Sequence, residues 1–200
     1  MRNQDNWKLY YTKTSGKPAR ETLLKALNSF KKEGVKGMAF ELGSGACNDV
    51  RLLSEQGWKV TAVDNEVKAQ LFFNKEFKEV PNVDFQLASF EEVKWHKVHL
   101  VHAGFALAFC PKPHFKEVIR NIQSNILNGG RFAGNFFGTE HSWNHLCLVS
   151  RAEIEGLFED FEIEWVEETK TQRLSTFGEE LFHHNINLIA KKTGLKKRLP

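Results

Sequence analysis

Apolar positions along this chain switch between a helical and a strand-like period, and the switching predicts helices and strands in turn. Residues 1–21 are polar with embedded aromatics (Trp7, Tyr10, Tyr11) and then Gly16 and Pro18, which predicts a loop docked on the rest of the chain. Leu23, Leu27 and Phe30 stand at helical spacing, with Gly34 as the stop. A first strand is expected over 37–42, a helix from about 46 to 56 ended by Gly57, and a second strand over 58–63. A helix over 67–77 and a third strand over 83–87 follow, then a fourth, fully buried strand over 99–104. Phe115, Val118, Ile119, Ile122 and Ile126 mark an amphipathic helix that stops at Gly129-Gly130, ahead of a fifth strand over 131–137. Residues 139–149 form a polar, aromatic insertion without clear period. Ser150 and Glu153 have capping-box spacing, opening a helix that carries Ile154, Leu157, Phe158 and Phe161. Two extended runs, roughly 161–169 and 183–191, close the pattern.

Strands alternating with helices imply an α/β fold, a Rossmann-like doubly wound sheet that is mostly parallel, with helices on both faces. The short link between the last two extended runs makes one of them antiparallel. A length of 200 residues suits a single domain. Its N-terminal cover segment would be 1–21, its insertion 139–149 and its basic tail 192–200.

Composition narrows the class. A formal charge of +3 is too small to indicate nucleic acid by itself. Cys47, Cys110 and Cys147 are too scattered for a disulfide framework, which suits a reducing compartment. The longest uncharged run, 98–111, is too short to span a bilayer, and the first residues lack the apolar core of a signal peptide. A soluble cytoplasmic protein is expected.

The chemistry concentrates in Glu41-Leu42-Gly43-Ser44-Gly45 and in Asp64, nineteen residues beyond Gly45. This reads as a buried strand ending in a glycine turn, with a second strand ending on a carboxylate. Ligands of doubly wound sheets sit outside such strand ends. Gly43 and Gly45 allow a tight turn and a close approach by a ligand. A dinucleotide fold wants a third glycine where Asn48 stands, and Glu41 would repel a pyrophosphate. S-adenosylmethionine, with an ammonium, a sulfonium and a ribose but no phosphate, fits two acidic strand ends better. A nicotinamide-dependent oxidoreductase is the weaker alternative. A non-catalytic binding module that reaches RNA through Lys191, Lys192, Lys196, Lys197 and Arg198 is another, although such a tail is more often solvated.

The Glu-Leu-Gly-Ser-Gly turn and Asp64 resemble the first two motifs of the class I S-adenosylmethionine-dependent methyltransferases. Leu127-Asn128-Gly129-Gly130-Arg131-Phe132 resembles that family's turn into the fifth strand. The runs 105–111 and 132–134 are similar to small bacterial methyltransferases related to the tellurite-resistance type. The resemblance implies a seven-stranded sheet with an antiparallel last strand, and methyl transfer by in-line displacement. The family's third turn glycine is Cys47 here, which is expected to tighten the pocket, and its acidic residue after the third strand is replaced by Ala88-Ser89-Phe90.

The cofactor residues expected on this basis are Tyr11, Arg20, Glu41, Gly43, Ser44, Gly45, Asp64, Asn65, Ser89, Phe90, His102 and Ala103. Arg20 would hold the cofactor's carboxylate or be solvated. Asp64 would take the ribose hydroxyls or cap the following helix. Ser89 would read the adenine or form a capping box with Glu92, and Tyr11 and Trp7 would cover the cofactor or pack on the core. No catalytic residue is fixed; His102, His114 and His141 are candidate bases. Phe105, Phe109 and Trp143 are expected on the acceptor side, and without the Asn/Asp-Pro-Pro-aromatic signature the acceptor is expected to be a small molecule rather than a nucleic acid base. His141, His145 and Cys147 have a spacing that suggests zinc, but no fourth ligand is nearby, so no metal is expected.

Overall fold

A computed structural model describes residues 4–194. Its elements in chain order are α1 (Gln4–Thr14), α2 (Glu21–Lys32), β1 (Met38–Leu42), α3 (Asn48–Glu55), β2 (Lys59–Asp64), α4 (Val67–Phe77), β3 (Val83–Leu87), β4 (Val98–Gly104), α5 (Lys112–Asn125), β5 (Ile126–Phe137), α6 (Arg151–Leu157), β6 (Phe161–Leu174) and β7 (Glu180–Lys192). A short 3-10 turn, Leu107–Phe109, lies between β4 and α5.

The seven strands form one sheet in the order β3-β2-β1-β4-β5-β7-β6. All pairings from β3 to β5 are parallel, and β7 runs antiparallel to both β5 and β6. The antiparallel strand is therefore the last in sequence, but it is inserted between β5 and β6. The chain winds outward from β1 to β3 and then returns to the other side of β1 as β4. This reversal opens a crevice at the carboxyl ends of β1 and β4.

Strand alternation gives the sheet two cores. Phe40, Leu42, Val101 and Phe132 face α5 and α6, meeting Val118, Ile119, Ile122, Ile154 and Phe158. Ala39, Val60, Ala62, Leu100 and Ala133 face the other way and meet Leu23, Ala26, Leu27 and Phe30 of α2 and Val50 and Leu53 of α3. Each fully buried Leu or Phe contributes roughly 1.5–3 kcal/mol.

Several expectations need correction. Residues 4–14 are helical rather than loop, because Trp7, Tyr10, Tyr11 and Thr14 lie at i, i+3, i+4 and i+7 and give α1 one packing face. The helix α5 stops at Asn125; Ile126 is already extended, and β5 begins there with a register shift against β4 before Arg131. The last two strands reach well beyond the expected runs, to Leu174 and from Glu180. The capping box at Ser150 forms as expected, with Ser150 Oγ accepting from Glu153 N. Cys47, Cys110 and Cys147 are all buried free thiols. No described helix is long and apolar enough to cross a membrane. Lys196, Lys197 and Arg198 of the basic tail lie outside the described residues.

Candidate active site

The turn after β1 is pinned to the neighbouring strand, since Gly43 N and Ser44 N both donate to Val63 O, at 2.8 and 3.0 Å. Gly43 and Gly45 have φ of +69° and +50°. A Cβ on Gly43 would collide with Ala106 Cβ, and one on Gly45 would lie 3.2 Å from the Tyr11 ring. Ser44 Oγ is buried with no hydrogen-bond partner, so the turn presents an unmatched hydroxyl to whatever fills the crevice. Cys47 is left-handed at φ +60°, and its side chain is fully buried among the α2 and α3 residues. It does not narrow the pocket as expected.

Asp64 closes the site from β2. Its Oδ2 accepts from Gly45 N at 2.9 Å and its Oδ1 from Glu66 N at 3.0 Å, so it braces the glycine turn and the entry to α4 together. Burial pushes its carboxyl above the ordinary range, while the backbone N–H groups of Gly45 and Glu66 oppose the shift. An ionised carboxylate has about four acceptor positions, so it retains capacity for a ligand hydroxyl beside these backbone donors.

The segment joining α1 to α2 is laced onto the start of α3. Asn48 Oδ1 accepts from Gly16 N and its amide donates to Thr14 O; Asp49 Oδ1 accepts from Arg20 N. The position where a dinucleotide fold would carry its third glycine is thus occupied by a side chain that fastens the N-terminal segment. Arg20 then lies across Gly104, where any Cβ would collide with the guanidinium, and stands 5.1 Å over the Phe105 ring.

Beneath the crevice runs a buried polar chain. His102 Nδ1 lies 2.7 Å from Glu41 Oε2, and His102 Nε2 lies 3.2 Å from Thr22 Oγ1. Thr22 Oγ1 donates to Asn135 Oδ1, Asn135 Nδ2 to Asn187 Oδ1, and Asn187 Nδ2 to Glu167 Oε2. A carboxylate at the Glu167 end can only accept, which fixes every donor inward from it. Thr22 has given its proton to Asn135, so His102 Nε2 must carry a hydrogen and Nδ1 faces Glu41. Glu41 and His102 Nδ1 consequently share one proton. Burial pushes Glu41 up to about 7, with His102 opposing the shift. Burial works against a charge on His102, but Glu41 more than offsets it and the imidazole is raised.

The crevice is a cavity of about 640 Å³, within the usual range of small-molecule sites. Of the expected cofactor residues, Tyr11, Arg20, Glu41, Gly43, Ser44, Gly45, Asp64, Asn65, Ser89 and Phe90 all line it. His102 and Ala103 do not: they are fully buried on opposite faces of the sheet, and Gly104, Phe105 and Ala106 meet the cavity instead. Tyr11 both packs and lines, only 3% exposed and stacked on Trp7. Its phenol is raised by burial and by the nearby Asp64 and Glu66. Ser89 Oγ pairs with Glu92 at 3.0 Å, although no helix follows it.

Phe105, Phe109 and Trp143 all line the cavity. Phe105 has a left-handed φ of +58° and stacks on Phe137 with centroids 4.8 Å apart. His114 is exposed and does not line the crevice; it lines a small neighbouring cleft with Glu117 and Asn121 that shares Ser89 and Glu91 with it. His141 lies behind the wall, buried against Phe137, and is not a lining residue. Burial together with His183, His184 and Arg173 holds it down to about 4. His145 is exposed and Cys147 is buried in the α5-side core, so these two do not join His141 around an ion. Among the described residues, Glu41, Asp49 and His102 do bring ligand-type atoms within 4.8 Å of one another. There the short Glu41–His102 contact and the Arg20–Asp49 bond already engage them.

Arg173, His183 and Asn185 also line the cavity and were not anticipated. They come from the β6–β7 hairpin and carry no local motif. Alternation along β7 could have placed His183, Asn185 and Asn187 on one face.

A family model described as a methyltransferase domain matches residues 39–130, the stretch from β1 into β5 that holds Glu41, the glycine turn and Asp64. No curated protein gives a significant match. TehB from Haemophilus influenzae aligns with a TM-score of 0.75 at 16% identity, covering 94% of this chain and 67% of its own. Magnesium protoporphyrin IX methyltransferase (ChlM) from Synechocystis PCC 6803, solved with S-adenosylhomocysteine, aligns at 0.72 and 14%, covering 96% and 95%. 1,6-Didemethyltoxoflavin-N1-methyltransferase from Burkholderia thailandensis, solved with 1,6-didemethyltoxoflavin and S-adenosylhomocysteine, aligns at 0.63 and 17%, covering 87% and 79%. At these identities the likeness is one of fold. The match makes residues 39–130 similar to a methyltransferase domain, and the fold around that segment is shared with these solved methyltransferases.

Proposed function

We propose that this protein transfers a methyl group from S-adenosylmethionine to a small-molecule acceptor. The observation that carries this reading is the glycine turn between two buried carboxylates, with an unmatched Ser44 hydroxyl and no room for a Cβ at Gly43. Asp64 would accept the ribose hydroxyls, the turn backbone would lie along the nucleoside, and Arg20 would take the carboxylate through a two-point contact. Ser89 and Phe90 line the end of the cavity beyond β3 and would meet the adenine. When bound, S-adenosylmethionine supplies a methyl carbon on a cationic sulfur that departs as a neutral thioether.

The chain's own contribution is then mainly orientation and exclusion of water, worth roughly 7–11 kcal/mol where the alignment is good. Trp7, Tyr11 and Phe109 close over the crevice as one aromatic cluster. The Glu41–His102 proton is held below the floor by the polar chain, which makes His102 a support for Glu41 rather than a base for the acceptor. The small-molecule acceptor is supported by an enclosed aromatic wall of Phe105, Phe137 and Trp143. Three buried free thiols support a cytoplasmic setting.

Thermal unfolding tests the cofactor half of this reading. S-adenosylhomocysteine at 100 times its dissociation constant stabilises by about 2.7 kcal/mol, an expected rise in Tm of roughly 5–10 °C for a chain of this size. A rise with NAD and none with S-adenosylhomocysteine would instead support an oxidoreductase.

A further inference from the structure

The cavity is divided by charge. The five carboxylates that line it, Glu41, Asp49, Asp64, Glu66 and Glu91, come from β1, α3, β2 or the segments after β2 and β3, and outnumber the two cations on that side, Lys17 and Arg20, the latter 3.8 Å from Asp49. The side built from β5, β7 and β6 contributes none; its charged lining residue is Arg173, at the end of β6. The ion pairs of that edge, Lys170 with Glu140 and His184 with Glu168, leave Arg173 out. One end of the cavity thus suits a cation and the other an anion.

Uncharged polar groups on the basic side also await a partner. Asn185 is 6% exposed, lines the cavity, and its Oδ1 is buried without a hydrogen bond. It is the next inward-facing residue along β7 after Asn187, whose amide is satisfied by Asn135 and Glu167. His183, two residues further along the same face, has an unpartnered Nε2 and also lines the cavity. Burial and the Arg173 charge hold this imidazole below its ordinary range, so it stays neutral at neutral pH. Leaving a buried polar atom unpaired costs about as much as losing a hydrogen bond. Beside these groups stand flat apolar surfaces: Phe105 stacked on Phe137, and Trp143 edge-on to Phe137 at 5.6 Å.

We infer that the acceptor is a small planar aromatic molecule carrying an anionic group, its ring against Phe105, Phe137 and Trp143, its anion on Arg173, and a polar ring substituent at Asn185 and His183. The assignment rests on the methyltransferase reading above, which supplies the cationic occupant of the acidic end. An anion on the basic end complements that occupant across one cavity, and a carboxylate takes two parallel bonds from a guanidinium.

The test is calorimetric titration of protein saturated with S-adenosylhomocysteine, using 4-hydroxybenzoate, benzoate, phenol and benzylamine as probes. 4-Hydroxybenzoate is expected to bind at least about tenfold more tightly than phenol, and benzylamine more weakly still. In Arg173→Gln that preference should fall below about threefold. Asn185→Ala should weaken 4-hydroxybenzoate more than benzoate. Equal binding of phenol and 4-hydroxybenzoate, preference for benzylamine, no binding of any probe, or a preference that survives Arg173→Gln would overturn the inference while leaving the cofactor site standing. Failure of S-adenosylhomocysteine itself to bind would remove the methyltransferase reading and this inference with it.

Discussion

Glu41 and His102 lie 2.7 Å apart and essentially without solvent, so the fate of their shared proton affects the stability of the fold. Both groups are raised above their ordinary values, Glu41 to about 7. The folded state therefore binds more protons than the unfolded chain from the ordinary glutamate range up through pH 7. Stability supplied by the pair is complete at the acid end of that window and is lost as pH rises through it. Glu41→Gln keeps a hydrogen bond to His102 without the charge, so its stability should be flatter than wild type between about pH 5 and 9 in urea denaturation. Parallel profiles would show that the pair does not titrate with folding. At Gly43, alanine meets both a positive φ and the Ala106 methyl, and the strain should lower stability by about 1–3 kcal/mol and weaken cofactor binding. Chemical denaturation and titration with S-adenosylhomocysteine measure the two effects. The glycine turn and its flanking carboxylates were readable in the sequence because Glu41, Gly43, Gly45 and Asp64 have a local spacing with a physical meaning. The direction of His102 was not readable, because β4 is buried on both faces and its residue pattern shows no alternation to orient it.

Two elements show why local pattern reading stopped short. Gly16 and Pro18 draw attention to the end of the N-terminal segment, whereas the four-position stripe from Trp7 to Thr14 that makes α1 a helix is short and partly polar. In β6, residues 167–173 are polar throughout because both faces meet solvent above the sheet edge, so neither an apolar run nor an alternation marks the strand. Its outer end nevertheless carries Arg173 to the cavity. A second cluster ties α2 to this part of the sheet. Arg131 is 1% exposed and donates to Glu33 at 2.6 and 2.9 Å and to Glu164 at 2.6 and 2.7 Å, while Lys191 also reaches Glu33. Arg131→Met should destabilise by about 3 kcal/mol, the low end for a broken buried pair because both carboxylates can rehydrate. Hydrogen bonds from Arg131 and Lys191 hold Glu33 down to about 2, so its contribution is present above the ordinary carboxylate range and lost as pH falls toward 2. The variant should accordingly show a shallower loss of stability between pH 5 and 2.5 in urea denaturation, and an unchanged acid limb would count against the network.

For the molecule as a whole, strand order puts the acidic and basic halves of one cavity on either side of the topological reversal between β1 and β4. The alternation of strands and helices made that architecture legible in advance, including one antiparallel strand near the end. The cavity wall opposite the glycine turn was only partly legible: Phe105, Phe109 and Trp143 follow strands whose ends could be located, whereas Arg173, His183 and Asn185 arrive through a hairpin folding back over the sheet edge. The central claim is that the crevice beside Glu41 and Asp64 receives the adenosyl sulfonium, and calorimetric titration of S-adenosylmethionine into wild type, Gly45→Ala and Gly45→Val addresses it most directly. The account predicts one-to-one binding by wild type and affinity that falls stepwise through alanine to at least about tenfold weaker in valine, since a β-branched side chain at φ +50° would strain the turn and press on Tyr11. No binding by wild type, or equal affinity in folded valine variant, would contradict it.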